Sequence, residues 1–219
     1  DPGHDLRRRR AFQRTREGIL DSAAITFARK GFRGTTMSDI ASAAGYTPPT
    51  LYAYFRSKSE IFTALIDQVL DQMGQTYAEE QAPGLSFEQR LHLLIGRQLD
   101  LAQKRRHAFA VFYAIRPLEQ DVPAGKRDET GFDFCVGRLA RWIREASTDI
   151  ERRGWSPEDL AYALAGMIHA FVRRSLRDTG DGRLGRDGRL VVELFLNGMR
   201  GGSPKAGRGS RGRRQGNGG

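Results

Sequence analysis

The chain has 219 residues, a formal net charge of +10 and 39% hydrophobic residues, enough for one large or two small cores. No run of 18 apolar residues occurs, which excludes a membrane-spanning helix, and the N-terminus lacks the apolar stretch of a secretory signal. Cys135 is the single cysteine, which forbids an internal disulfide and suits a reducing cytoplasm, the compartment expected here.

The charge is unevenly placed. Residues 1–60 hold 11 Lys and Arg against 6 acids, residues 201–219 hold 5 basic residues and no acid, and residues 61–200 hold 20 of each. A basic head on a neutral body is the pattern of a phosphate-contacting domain joined to a ligand or dimer domain. The chain opens on Asp1 rather than methionine, as a trimmed or processed chain would.

Residues 1–9 are expected to be a disordered basic leader; the competing reading is an arm that reaches phosphates or the adjacent minor groove. Arg10 to Lys30 has helical apolar spacing in Phe12, Ile19, Ala23, Ala24, Ile25 and Phe27, and Gly31 ends it after Arg29 and Lys30. Two short helices follow, from about Thr36 to Ala44 and Thr47 to Phe55. Thr36 with Asp39 forms a capping-box pattern, Gly45 suits a left-handed C-terminal turn, and Thr47 followed by Pro48 starts the next helix. Ile40, Ala44, Leu51 and Phe55 are expected inward, with Tyr46 plugging the turn and stapling to Leu51. These features predict a three-helix unit over 10–57 built on a helix-turn-helix, in which the second short helix enters the DNA major groove. An ordinary helical hairpin is the plainer alternative.

The string from Gly31 to Lys58, with Thr35-Thr36-Met37, Asp39-Ile40-Ala41, Ala44-Gly45-Tyr46-Thr47 and Thr50-Leu51-Tyr52-Ala53-Tyr54-Phe55-Arg56-Ser57-Lys58, resembles the DNA-binding domain of the TetR/AcrR family of transcriptional regulators. The resemblance covers roughly residues 10–65. It implies an all-α protein of about nine helices, with a helix-turn-helix domain and a larger ligand-binding and dimerisation domain. It also implies that Thr36, Tyr52, Tyr54 and Lys58 meet phosphates, and that Thr47, Pro48, Pro49 and Thr50 lie at base edges. The two prolines have no hydrogen to donate, so thymine-methyl contact is the expected base signal there and DNA shape carries more of the specificity.

The larger domain spans 58–200. A fourth helix from Lys58 to about Glu80 carries Ile61, Phe62, Leu65, Val69 and Met73 inward, and is the expected rigid link from head to body. Its start, with Ser57 as cap, places Lys58 beside helix amides that favour an anion. Ala82-Pro83-Gly84 stops it. A fifth helix runs from Ser86 to about Arg106, an aromatic-rich sixth from His107 to Ile115, and a long seventh over 126–153 after a loop with Pro123 and Gly125. Ser156-Pro157-Glu158-Asp159 starts an eighth helix with two apolar stripes, and a ninth follows a Gly/Asp-rich loop over 178–188.

Those stripes predict a homodimer interface of Leu160, Leu164, Ile168, Phe171, Val172, Leu190, Leu194 and Phe195, a reading the resemblance supports; burial of both stripes within one chain is the alternative. A small hydrophobic effector is expected in a pocket drawn from Phe109, Phe112, Tyr113, Phe132, Trp142 and Phe171, with His92, Arg116, Cys135 and His169 as polar handles. Residues 201–219, rich in Gly and Arg, are expected to be disordered.

The expected function is a ligand-responsive regulator, a repressor that binds a palindromic double-stranded operator as a homodimer and is released by its effector. An architectural, ligand-independent DNA-binding protein is the alternative. No enzyme is expected. His4, His92, His107, His169 and Cys135 have no metal-ligand spacing, and no phosphate loop or nucleophile elbow occurs. Neither a metal, a cofactor nor a membrane partner is expected.

Overall fold

The computed structural model describes residues 2–78, 84–114, 131–177 and 184–201. Arg116, the loop with Pro123 and Gly125, the start of the expected seventh helix and the Gly/Arg tail from residue 202 lie outside them. Every regular element among the described residues is a helix: α1 (Pro2–Lys30), α2 (Met37–Ala43), α3 (Pro48–Tyr52), α4 (Lys58–Ala78), α5 (Phe87–Lys104), α6 (Arg106–Ala114), α7 (Gly131–Ala146), α8 (Asp149–Arg152), α9 (Pro157–Arg177) and α10 (Leu184–Arg200). None of them is long and apolar enough to cross a membrane.

Local chemistry sets the helix ends. Gly31 takes φ +70° and returns its N–H to the Phe27 carbonyl at 2.8 Å, which closes α1. Thr36 accepts from the Asp39 N–H at 3.1 Å while the Asp39 carboxylate accepts from the Thr36 N–H at 2.9 Å, a complete capping box for α2. At its far end Gly45 has φ +75°, and the N–H groups of Gly45 and Tyr46 return to the carbonyls of Ser42 and Ala41. That paired return is the Schellman arrangement, which satisfies carbonyls the helix leaves orphaned.

One expectation is corrected at the N-terminus. The segment expected to be a disordered leader continues α1 back to Pro2, steadied by an Arg9–Asp5 pair at 3.1 Å, one turn apart. Of the apolar residues spaced along α1, Phe12 and Ile25 are 43% and 42% exposed, whereas Ile19, Leu20, Ala23, Ala24 and Phe27 are buried. Nearby, Tyr46 does not plug the turn; it is 39% exposed, and Ala41, Leu51 and Phe55 close the core beneath it.

α4 runs from the head into the body and packs on α1, α5, α6 and α7, with Ile61, Phe62, Leu65, Val69 and Met73 buried. α1 also packs on α6, so head and body meet along two lines. The helix expected over 126–153 is broken after Ala146, where the buried Arg152 guanidinium donates to the Ser147 carbonyl at 2.7 Å and hydroxyl at 3.0 Å. α9 lies against α7 on one side and α5, α6 and α10 on the other. That double packing corrects the interface expected for α9. Leu160, Leu164, Ile168 and Val172, and Phe195 of α10, are all buried inside the single chain.

Candidate functional site

The short helix α3 is held from below and free above. Leu51 is fully buried and Phe55, just past its end, nearly so. Thr47 caps the helix, its hydroxyl 2.9 Å from that of Thr50 and receiving the Thr50 N–H at 3.4 Å. Pro48 at the first position sacrifices only an N–H that a helix start leaves unpaired. Thr47, Pro48 and Pro49 are exposed, Tyr52 is 53% exposed, and Thr50 is half-buried. The outward face of α3 therefore offers methyl, methylene, hydroxyl and phenol groups, and no charge or amide.

The remaining site residues serve first to build the head. The Thr36 hydroxyl donates to the Asp39 carboxylate at 2.8 Å, so its polar atoms are occupied by the cap. The Lys30 ammonium donates to the same carboxylate at 2.7 Å, and these donors hold the Asp39 carboxyl down at about 2, the Lys30 bond contributing most. Tyr54 is half-buried and stacks on Phe12, ring centroids 4.7 Å apart and planes at 26°. The Arg16 guanidinium lies 4.6 Å above the Phe55 ring.

Lys58, expected to meet phosphate, is turned inward. Its ammonium donates to the carbonyls of Phe32 at 2.8 Å and Thr35 at 2.7 Å, with Arg33 at 3.5 Å, and sits 4.6 Å from the centre of the Phe32 ring. The carbonyls that end α1 and enter α2 have few helical partners, so a cation at the start of α4 satisfies them. A second tie crosses higher up. Arg105 at the end of α5 pairs with Asp21 of α1 at 2.7 Å and donates to Gln68 of α4 at 2.6 Å.

Within the body the expected pocket residues fall apart into groups. Phe109, Phe112 and Tyr113 of α6 cluster, and Tyr113 meets the His169 ring edge-on at 4.4 Å. Cys135 of α7 lies near Tyr113 and Tyr77; burial pushes its thiol up to about 12 and raises both phenols. Trp142 packs with Phe87 instead, and Phe171 lies under the Arg174 guanidinium. His92 is exposed on the solvent side of α5, which removes it from any pocket within the chain. Phe132 falls in the first turn of α7. Sequence reasoning missed Tyr77 and Gln98, whose amide bonds the Tyr77 hydroxyl and approaches Thr76 at 3.5 Å; a glutamine inside the apolar rhythm of α5 was the available signal.

Comparison with known proteins decides what this head belongs to. Residues 19–65 match the family model for bacterial regulatory proteins of the tetR family. The HTH-type transcriptional repressor KstR2 of Mycolicibacterium smegmatis is 31% identical over 159 residues, 72% of this chain and 74% of that protein. The chain belongs to the TetR family.

The KstR2 of Rhodococcus jostii is 34% identical over 97 residues, 44% of this chain, and the match spans only 48% of that relative. Among solved structures, a TetR-like transcriptional regulator from Rhodococcus sp. RHA1 superposes with a TM-score of 0.68 at 27% identity, covering 85% of this chain and 96% of its own. The SmeT–triclosan complex superposes with a TM-score of 0.64 at 26% identity, covering 84% and 90%. SmeT is the repressor of a Stenotrophomonas maltophilia multidrug efflux pump. TetR-family proteins are transcriptional regulators, and the fold places this chain's α2 and α3 as their helix-turn-helix.

Proposed function

We propose that this TetR-family protein is a ligand-responsive repressor that binds a palindromic operator as a homodimer and leaves it when a hydrophobic small molecule enters the body. The observation that carries this reading is the outward face of α3, where Thr47, Pro48, Pro49 and Tyr52 stand exposed on a helix anchored by Leu51. A duplex groove supplies the partner such a face needs. Thr47, Pro48, Pro49 and Thr50 contact base edges and thymine methyls, and Tyr52 donates to phosphate. Thr36 and Tyr54 border the backbone, while Lys58 orients the head from behind.

Residues 10–57 form the reading head and 58–200 the sensing and pairing body, joined by α4 and by the Arg105–Asp21 contact. In the body, the cluster of Phe109, Tyr113, Cys135 and His169 is the centre of effector binding, with Tyr77 and Gln98 as neutral hydrogen-bonding groups. Such a lining favours an uncharged or weakly polar aromatic ligand, and the triclosan bound by the related SmeT has that character. Effector binding must favour the released state to shift the balance.

Pairing uses what α9 and α10 leave outside. Tyr162 is 54% exposed beside the small residues Ala163, Gly166 and Ala170, and Leu190 and Leu194 of α10 are 38% and 50% exposed. Two helices meeting their two-fold mates across that face would make an intersubunit four-helix bundle. Selection of duplexes from a random pool, followed by footprinting, tests the whole reading. A symmetric protected site, lost when Tyr52→Phe and Thr50→Ala are combined, is expected; protection without two-fold symmetry, or none, would overturn it.

A further inference from the structure

The part of α1 that precedes the core is more than a solvated lead-in. No residue from Gly3 to Gly18 is fully buried and Ile19 is, so this stretch of the helix extends past the core of the head. A free helix of that length is marginal in water. Here it grows from a helix already folded and is pinned to the reading head twice, by Phe12 stacked on Tyr54 and by Arg16 over Phe55. Phe12 stays 43% exposed because its stacked face meets one ring and not a core.

These two pins set which side of the extension faces α3. On a helix, residues 5, 8, 9, 12 and 16 share one side, and residues 7, 10 and 14 share the other. The first side carries Asp5, Arg8 and Arg9, which with Phe12 and Gln13 line a cleft of about 280 Å³. Residues 2–16 hold six arginines against the single acid Asp5, and Asp5 is itself paired with Arg9. A flexible arm could put arginines anywhere; this helix holds Arg8 and Arg9 on the side of the residues that follow α3.

We propose that the Arg8–Arg9 side of α1 is a second DNA-binding surface, which follows the phosphates flanking the base pairs read by α3, while Arg7, Arg10 and Arg14 face solvent. The assignment rests on the DNA-binding reading of the head. Asp5 is its restraint: the carboxylate competes with phosphate for Arg9 and repels the backbone.

Salt titration of duplex binding tests the surface. The full chain is measured against a duplex it selects from a random pool and against an unrelated duplex of equal length, as wild type, R8A/R9A, R7A/R10A and D5N. Alanine is the best helix former, so the exposed helix should persist, and circular dichroism checks that. Each phosphate contact contributes about 0.9 to the slope of log affinity against log salt. R8A/R9A is expected to lower that slope by one to two contacts on both duplexes, R7A/R10A to change it little, and D5N to tighten binding. Equal losses from the two arginine pairs, or no loss from either, would overturn the proposal while leaving the reading head intact. Failure of the wild-type chain to hold either duplex at low salt would remove the reading head as well, and the surface with it.

Discussion

The Lys58 ammonium donates to the Thr35 carbonyl at 2.7 Å, tying the first residue of α4 to the residue that precedes the cap of α2. With its bond to the Phe32 carbonyl at 2.8 Å, this makes the loop between α1 and α2 a passenger of α4. Any tilt of α4 is thereby passed to the reading head at its base rather than only through the chain after α3. Such a rigid attachment is what a ligand-driven change of head spacing requires.

Replacing Lys58 with Met leaves these carbonyls without their cation. Hydrogen bonds to charged groups contribute about 1.5–3 kcal/mol, so K58M is expected to lose about 2 kcal/mol, with K58R recovering part of it. Denaturant unfolding measures this. The salt slope of duplex binding should stay at its wild-type value; a drop equal to one phosphate contact would return Lys58 to the DNA surface.

Two glycines, one in α1 and one in the turn, separate backbone strain from space. Gly45 has φ +75°, and a methyl group placed there would meet nothing within 4 Å, so Gly45→Ala should cost about 1 kcal/mol by conformation alone. Gly18 is exposed in mid-helix with equally open surroundings, so Gly18→Ala should stabilise by about 0.5–1 kcal/mol. Opposite shifts in the melting midpoint are the expected result.

Asp39 gives the head an acid limit. Its carboxyl is lowered from 3.8 to about 2 by the Lys30 ammonium first and the Thr36 N–H and hydroxyl next. A depressed folded value means that the stabilisation is complete above 3.8 and disappears as pH falls through about 2. Thermal melts across that range should show a slope for wild type that is reduced in Asp39→Asn. An unchanged slope would mean that other carboxyls carry the acid dependence.

Cys135 is buried, and its thiol is pushed up to about 12 by loss of solvation, offset in part by Arg138. The thiolate is the reactive form, so at about pH 8 the folded protein should react with a disulfide reagent far more slowly than the unfolded chain. Timed thiol titration with and without denaturant measures the ratio. A rate near that of the unfolded chain would show that α7 opens readily.

Leu194 is half-exposed on α10, and the dimer proposed above uses it. L194E is expected to give monomers in sedimentation velocity with little change in helix content, whereas Leu164→Glu, at a fully buried position, should unfold the body. A dimer that survives L194E would move the interface elsewhere.

Elements whose causes are local could be read from the chain alone. The Thr36–Asp39 box, the Gly45 turn, Pro48 at a helix start and the buried stripe of α4 are set by bonds and spacings within a few residues, and each is legible without neighbours. Outcomes that depend on what packs opposite emerged only in three dimensions. The apolar stripes of α9 look fit for a partner subunit along the chain, yet the burial of Leu160, Leu164, Ile168 and Val172 follows from where α7 and α5 lie. Lys58 reads as a phosphate ligand until the carbonyls of Phe32 and Thr35, more than twenty residues earlier, are brought to its ammonium. Phe12 keeps the helical spacing of the residues that follow it, yet it is stacked on Tyr54 at the surface, with the core beginning at Ile19. A residue's period along a helix tells which side it takes; only the packed fold tells what stands on that side.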